Sequence, residues 1–232
     1  MLRYLFGGGQ MSNYLIGLLL SLPVILLSLS VHEAAHGFAA WRLGDPTARS
    51  FGRITLNPLR HLNPIGFLCM LFAGFGWANP VPINTRYFKK PRRDMAITAL
   101  AGPLSNLLLA VFFLLLLRFL GFGLLWELPY TSQFAANAAY LFILFLFYGV
   151  QMNVTLAIFN LLPIPPLDGS RILGLILPAN LYYKFMRYER QLLIVFIVFL
   201  ALEPRLGLLS SVTSLVMRAL FALVGMPPYF LL

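Results

Sequence analysis

The stretch NYLIGLLLSLPVILLSLSVHEAAH, residues 13–36, decides the fold. No ionisable side chain lies between Arg3 and His32, and leucine, isoleucine and valine dominate the interval. A spanning helix needs about 20 mainly apolar residues, so this stretch predicts a membrane helix over about 13–43. Gly-Asp-Pro follows at residues 44–46, and glycine and proline are typical of a helix end.

The HEAAH motif near the end of this helix has the spacing of a metal-binding pair. His32 and His36 are four residues apart, so they project from one face of a helix. At 3.6 residues per turn, Glu33 lies about 100° from His32 and about 60° from His36. Glu33 is therefore beside the metal, where it can take a proton from a water that the metal binds.

The composition is that of a polytopic membrane protein. The 232 residues are 60% hydrophobic and 10% charged, against about 25% charged in soluble domains. Residues 95–117 and 128–167 contain no charged group, and each can supply a spanning helix. The sequence therefore predicts a single membrane-embedded domain over 1–232, with no room for a soluble domain of ordinary size.

Basic residues cluster in three short connections between the apolar runs. The formal net charge of +10 could suggest nucleic acid, but this clustering is typical of cytoplasmic loops next to anionic lipid headgroups. We therefore expect the lipid bilayer as a partner and no nucleic acid. The clustered residues are Arg42, Arg49, Arg53, Arg60, Arg86, Lys89, Lys90, Arg92, Arg93, Arg171, Lys184, Arg187 and Arg190.

The segment after the first helix is apolar but short. Residues 65–77 cannot span a bilayer as a helix, and they suit a re-entrant or hairpin element. Asn-Pro-Val-Pro at 79–82 then forces extended backbone. This 65–84 element could pair with an unwound peptide segment by strand addition, act as a gate, or simply pack as a loop.

The remaining apolar runs predict further helices. The two predicted helices nearest the C-terminus, 191–202 and 206–225, are joined by a turn at 203–205, or they form one broken helix. The fold class predicted is an all-α polytopic membrane protein with five to six membrane helices and the short element after the first. Helices are predicted over about 93–120, 134–162, 170–177, 191–202 and 206–225.

Asp168 ends another apolar run, where a carboxylate is as unfavourable as Glu33 is in the first helix. A divalent cation shared by His32, His36 and Asp168 would account for both acids. Three protein ligands with one open position are typical of a catalytic zinc, although cobalt or iron would also fit these ligands. The alternative is a buried hydrogen-bonded cluster without metal. If the basic loops are cytoplasmic, all three ligands lie near cytoplasmic helix ends.

Three motifs together resemble the site-2 protease family of intramembrane zinc metalloproteases. They are HEAAH in the first helix, AGPLSN at 101–106 in the next, and NLLPIPPLDG at 160–169 after the third. The resemblance covers roughly residues 31–173. Flanking stretches such as GDPT at 44–47 resemble the compact members that lack a PDZ domain.

The resemblance implies a metalloendopeptidase with one Zn²⁺ per chain, held by His32, His36 and Asp168, with Glu33 catalytic. It also implies that Asn160 polarises the substrate carbonyl or holds the oxyanion, although Asn160 could instead cap its helix. Substrates would be transmembrane proteins or peptides, cleaved near the cytoplasmic face of a prokaryotic cell membrane. The catalytic core would cover about 13–178, and C-terminal helices about 188–226.

Two other functions use the same residues. A membrane metal-ion carrier or sensor would need the three ligands, but neither Glu33 between the histidines nor an amide at Asn160. A non-catalytic scaffold would not need every proposed catalytic position to hold the right residue type.

His61, in a polar loop, is expected to bond within that loop rather than act as a fourth ligand. Asn106 is expected to form hydrogen bonds between helices near the site.

Overall fold

Long apolar helices make up most of the chain in this computed structural model, which describes residues 10–73, 76, 78–125, 129 and 132–226. Single 3-10 turns lie at Pro58–Arg60 and Thr85–Tyr87, and a π-helical segment, Leu117–Leu125, continues the fourth helix. No β-strand occurs among the described residues. The helices are α1 (Gln10–Arg42), α2 (Thr47–Ser50), α3 (Pro64–Ala73), α4 (Pro91–Leu116), α5 (Gln133–Leu161), α6 (Asp168–Ile176), α7 (Ala179–Arg187), α8 (Glu189–Leu206) and α9 (Leu208–Leu223).

Three of the described helices are long and apolar enough to cross a membrane. They cover Leu15–Arg42, Pro91–Gly121 and Gln133–Leu161. The pair α8 and α9, bent by 72°, could supply a fourth span. The predicted all-α membrane fold is confirmed, and its three long helices lie where the apolar runs placed them. The total of five to six membrane helices and the re-entrant element stay predictions.

Helix α4 lies at the centre of the molecule and packs against α1, α5 and α6. Its first half presents small buried residues, among them Ala96, Ala99 and Gly102, which allow close approach of neighbouring helices. Helix α1 carries the HEAAH motif and α6 begins at Asp168. Packing of both helices on α4 therefore brings together the two halves of the predicted metal site.

An apolar core joins α4, α5 and α9 further along α4. Phe113 and Leu114 of α4 meet Leu146 and Val150 of α5 and Phe221 of α9, all at most 4% exposed. Outside this cluster, and along α8 in particular, most large apolar side chains are exposed. Such exposure is expected for a surface that faces lipid.

The C-terminal part differs from the prediction in two places. The basic stretch after 177 contains helix α7, whose Tyr182 is buried and packs its ring under the Arg92 guanidinium. The break in the tail lies at Gly207, with φ +62, and not at 203–205. Glycine adopts this left-handed conformation without steric cost, so α8 continues until glycine ends it.

The short element after α1 begins as a helix, α3 (Pro64–Ala73). Part of the predicted 65–77 segment lies outside the described residues. Residues 78–84, which we name the strap, contain no regular secondary structure beyond an isolated bridge. One antiparallel bridge joins Leu62 to Ala78 at the start of the strap.

Candidate metal centre

Two imidazoles and one carboxylate converge where α1, α4 and α6 meet. The Nε2 atoms of His32 and His36 are 3.0 Å apart. Asp168 Oδ2 lies 3.1 Å from the first and 3.2 Å from the second. Both histidines are buried, at 6% and 7% exposure. Among the described residues, this is the one cluster of three His, Cys, Asp or Glu side chains suited to a metal ion.

The hydrogen bonds of the outer ring nitrogens fix the tautomer of both histidines. His32 Nδ1 lies 2.6 Å from Asn106 Oδ1, and His36 Nδ1 lies 2.7 Å from the carbonyl oxygen of Thr98. Both partners are acceptors, so each Nδ1 carries the proton and donates it. In the neutral rings, both Nε2 atoms therefore present lone pairs to each other and to Asp168.

The amide of Asn106 is itself oriented by its neighbours. Its Nδ2 donates to the carbonyl oxygen of Ser28 at 3.2 Å and to Asn153 Oδ1 at 2.9 Å. Asn153 Nδ2 in turn donates to the Gly149 carbonyl oxygen at 2.8 Å. Because Nδ2 has two acceptors, Oδ1 must face His32. This chain of bonds runs from α5 through α4 to α1 and sets the direction of the His32 ring.

Zinc fits this donor set. Three acceptor atoms at 3.0–3.2 Å repel one another unless a positive charge lies among them. A tetrahedral zinc with bonds of about 2.0–2.1 Å separates its ligand atoms by roughly 3.3 Å, close to the observed spacing. The outer Nδ1–H bonds are those that metal-bound imidazoles make. A metal-free cluster of neutral rings would leave the facing lone pairs unpaired.

Asp168 is held close to the two imidazoles by a tight turn at the start of α6. A Cβ on the next residue, Gly169, would lie 2.3 Å from two carbonyl oxygens at the end of α5. Only glycine fits there. The close approach of Gly169 to the end of α5 therefore sets the position of Asp168 at the start of α6.

Glu33 lies beside the three ligands, on the wall of the same cavity. This cavity of about 470 Å³ is lined by the ligands, Glu33, Asn160, Arg171 and mostly apolar side chains. Glu33 Oε2 accepts a hydrogen bond of 2.8 Å from the backbone N–H of Val81 in the strap. The base predicted from the motif thus has one oxygen held by the strap.

The other candidates predicted from sequence lie as follows. Asn160 reaches the site cavity, and its Nδ2 donates to the Leu156 carbonyl oxygen of its own helix at 3.0 Å. His61 is buried and lies in the loop, where its Nε2 bonds the Thr55 carbonyl oxygen. Asn106 bonds between helices, as expected. The functional roles of these residues stay predictions.

The sequence analysis missed three participants at the site. The Thr98 carbonyl and the Val81 N–H are backbone groups, so residue type gives no signal for them. Arg171, one turn after Asp168 in α6, lines the cavity and contacts Glu189 at 3.4 Å. The sequence pattern indicates only a loop charge at this position, although the spacing of Arg171 from Asp168 places both on one helix face.

Replacing Asn106 by leucine is expected to weaken zinc binding by 10- to 100-fold, the usual effect of losing a residue that orients a metal-binding histidine. Leucine has a similar size but cannot accept the Nδ1–H of His32. Competition with a chromophoric zinc chelator measures the affinity. Asn137→Leu, at an exposed position in α5, is the control. Equal zinc affinity in both variants would contradict the orienting role.

The model for Peptidase family M50 matches residues 20–202, most of the chain. The chain belongs to Peptidase family M50. The resemblance to the site-2 protease family is thereby confirmed, and as an M50 member the chain is a metalloprotease.

Bacterial relatives of this M50 member carry similar names. It is 43% identical over 176 residues to "Putative zinc metalloprotease YwhC" of Bacillus subtilis, covering 75% of this chain and 76% of that protein. It is 37% identical over 150 residues to "Putative zinc metalloprotease Rip2" of Mycolicibacterium smegmatis, covering 62% of this chain and about half, 52%, of that protein. These names agree with the predicted zinc. No solved structure gives a significant match.

Proposed function

We propose that this metalloprotease is an intramembrane zinc endopeptidase that hydrolyses a peptide bond within transmembrane segments of membrane proteins. The observation that carries the proposal is the convergence of His32, His36 and Asp168 at the end of a helix apolar enough to span a bilayer. Three ligands leave one coordination position open, as in catalytic rather than structural zinc sites.

His32, His36 and Asp168 would hold the metal. When bound, zinc lowers the pKa of a coordinated water and polarises a carbonyl group. Asn106 and the Thr98 carbonyl keep the two imidazoles in the tautomer that a metal requires. The chain's own contribution is therefore a rigid, correctly protonated set of ligands.

Glu33 acts as the general base. It would accept a proton from the attacking water and pass that proton to the leaving amine. Its second oxygen, Oε1, is not used by the strap, whose bond goes to Oε2. No acyl-enzyme forms, because water and not a side chain attacks the carbonyl.

Asn160 lies on the wall of the same cavity, at the end of α5. Its amide is a donor that can stabilise the oxyanion formed from the substrate carbonyl. The Asn160 amide now donates to a carbonyl of its own helix, and a substrate carbonyl can replace that acceptor.

An Asn160→Ala variant is expected to keep zinc and lose about 10²–10³-fold in kcat, as measured by steady-state cleavage of a transmembrane peptide.

The substrate class follows from the position of the site. The cavity opens among apolar helices, and its lining is mainly apolar. The three basic connections favour the cytoplasmic side for the ends of α1 and α5, so the site lies near the cytoplasmic face of a cell membrane. The relatives are bacterial and archaeal, which favours a prokaryotic membrane. A transmembrane segment near that face is the substrate these features fit.

A metal-ion carrier or sensor would use the same three ligands. Glu33 and Asn160 on the cavity wall favour hydrolysis, because transport needs neither a base nor an amide donor. The experiment that separates the two uses the purified protein in liposomes with a fluorescent transmembrane peptide. Cleavage that stops with a chelator and returns with zinc supports the protease. Zinc flux across the liposome without cleavage of any transmembrane peptide would contradict it.

A further inference from the structure

The strap crosses the metal site and contacts its base. Pro80 and Pro82 have no backbone N–H, so Val81 carries the one backbone donor between them. That donor goes to Glu33 Oε2 at 2.8 Å. The Val81 side chain is 6% exposed, and it fits against α1 at Gly37, where a Cβ would lie 3.3 Å from Val81 Cγ1. The proline pattern thus directs a single N–H to the carboxylate.

A buried acid holds the far end of the strap. Asp45, just after α1, is fully buried, and its Oδ2 accepts the Asn84 N–H at 2.7 Å. Its Oδ1 accepts from the backbone N–H and the hydroxyl of Thr47. No lysine, arginine or histidine pairs with Asp45 in the described part of the chain. These three hydrogen bonds satisfy the buried carboxylate and tie the end of α1 to the strap.

The near end of the strap is held by a second set of bonds, all at Asn79. Its backbone N–H donates to the His61 carbonyl oxygen at 2.7 Å, and its Nδ2 donates to the Leu62 carbonyl oxygen at 3.1 Å. Its Oδ1 accepts from Asn63 Nδ2 at 2.9 Å. Arg53 Nη2 donates to its carbonyl oxygen at 2.6 Å. The backbone carbonyl of His61 is therefore one of the groups that hold the strap.

We infer that the strap sets the position of the general base, and that Asp45 and Asn79 are positioning residues for the reaction. This inference rests on the proposed function. A glutamate side chain has three rotatable bonds, and a hydrogen bond to one oxygen removes most of that freedom. The other oxygen, Oε1, is not engaged by the strap and would be the one that accepts the proton. Misplacement of a catalytic group by about 1 Å can lower a rate by 10²-fold.

The most direct test removes the Val81 N–H by a change in the backbone. Incorporation of 2-hydroxy-3-methylbutanoic acid at position 81 replaces the amide by an ester and keeps the side chain. We expect kcat for a transmembrane peptide to fall by about 10- to 100-fold, with KM within twofold and zinc stoichiometry unchanged. A higher kcat would mean that the strap is a latch, and an unchanged kcat would mean that the bond has no role. Either result overturns the inference.

Side-chain variants test the two ends of the strap. Asp45→Asn leaves one donor without an acceptor, and Asn79→Asp removes the donor to Leu62. Both are expected to lower kcat and leave KM unchanged. Asp94→Asn is the matched control, because Asp94 is also buried and accepts a backbone N–H, from Lys90, away from the strap. If Asp94→Asn lowers kcat equally at equal zinc occupancy, the loss is structural and the inference fails.

Amide exchange gives a readout independent of activity. In metal-free protein, the Val81 amide should exchange slowly in the wild type and at least tenfold faster in Glu33→Ala. Equal exchange rates would overturn the inference.

The proposed protease function and the proposed role of the strap can fail separately. A wild type that never cleaves a transmembrane peptide contradicts the protease, whereas an active wild type with an equally active position-81 ester contradicts only the strap.

Discussion

Replacing Glu33 by glutamine should lower cleavage of a transmembrane peptide by about 10²–10⁴-fold, the usual contribution of a general base, while one zinc per chain stays bound. Glutamine keeps the size of the side chain and can still accept the Val81 N–H, but it cannot take a proton from water. Metal analysis of the purified variant, together with steady-state cleavage, measures both parts. Glu33→Ala should be equally inactive with zinc retained.

Glu203→Gln is the matched control for this experiment. Glu203 also lies in an apolar helix and also accepts a backbone N–H, from Leu209 at 2.8 Å, but it is outside the site. Its variant should cleave at the wild-type rate. Normal proteolysis by Glu33→Gln in detergent would eliminate Glu33 as the base, and loss of zinc from it would make Glu33 a ligand instead.

Replacing Gly102 by alanine should weaken zinc binding by at least a hundredfold and lower cleavage with it. A Cβ at this position would lie 2.5 Å from His36 Nε2 and 2.6 Å from His32 Cε1, distances that real contacts do not allow. The imidazoles would have to move away from each other or from Asp168. Since a displacement of about 1 Å at a site can cost 10²-fold, we expect at least a hundredfold weaker zinc binding by chelator competition.

Gly174→Ala serves as the control for the added methyl group. A Cβ at Gly174 would lie 3.4 Å from the Tyr182 ring, an ordinary contact, so zinc affinity and cleavage should be unchanged. Folding of both variants is compared by their thermal unfolding in detergent. A Gly102→Ala protein that binds zinc as tightly as the wild type would show that α4 does not approach the ligands as described.

The three long helices could be predicted because apolar length alone requires them. The expected 13–43, 93–120 and 134–162 correspond to α1, α4 with its π-helical extension, and α5. Helix α7 could not be predicted in the same way. It is too short and too polar to stand out as an apolar run, although its charged and apolar residues separate onto two faces. The contact of its buried Tyr182 with Arg92, a residue far away in the sequence, could not be read from the local pattern.

The site was predictable to the extent that its chemistry lies in side chains at fixed spacing. The HEAAH pair follows from helical periodicity, and charge placed Asp168 at the same membrane face. The contact between Val81 and Glu33 joins residues 48 positions apart through a backbone N–H. Neither periodicity nor residue type reports such a contact. Asp45 had the sequence context of a turn residue, and only its bond to Asn84 links it to the strap.

The central claim is that His32, His36 and Asp168 bind one zinc ion, and X-ray absorption at the zinc edge tests it most directly. The wild type should contain one zinc per chain with two imidazoles at about 2.0 Å and no sulfur ligand. In the Asp168→Cys variant, a zinc–sulfur distance of about 2.3 Å should appear. A stoichiometric zinc with the same sulfur-free surroundings in both proteins would contradict the account.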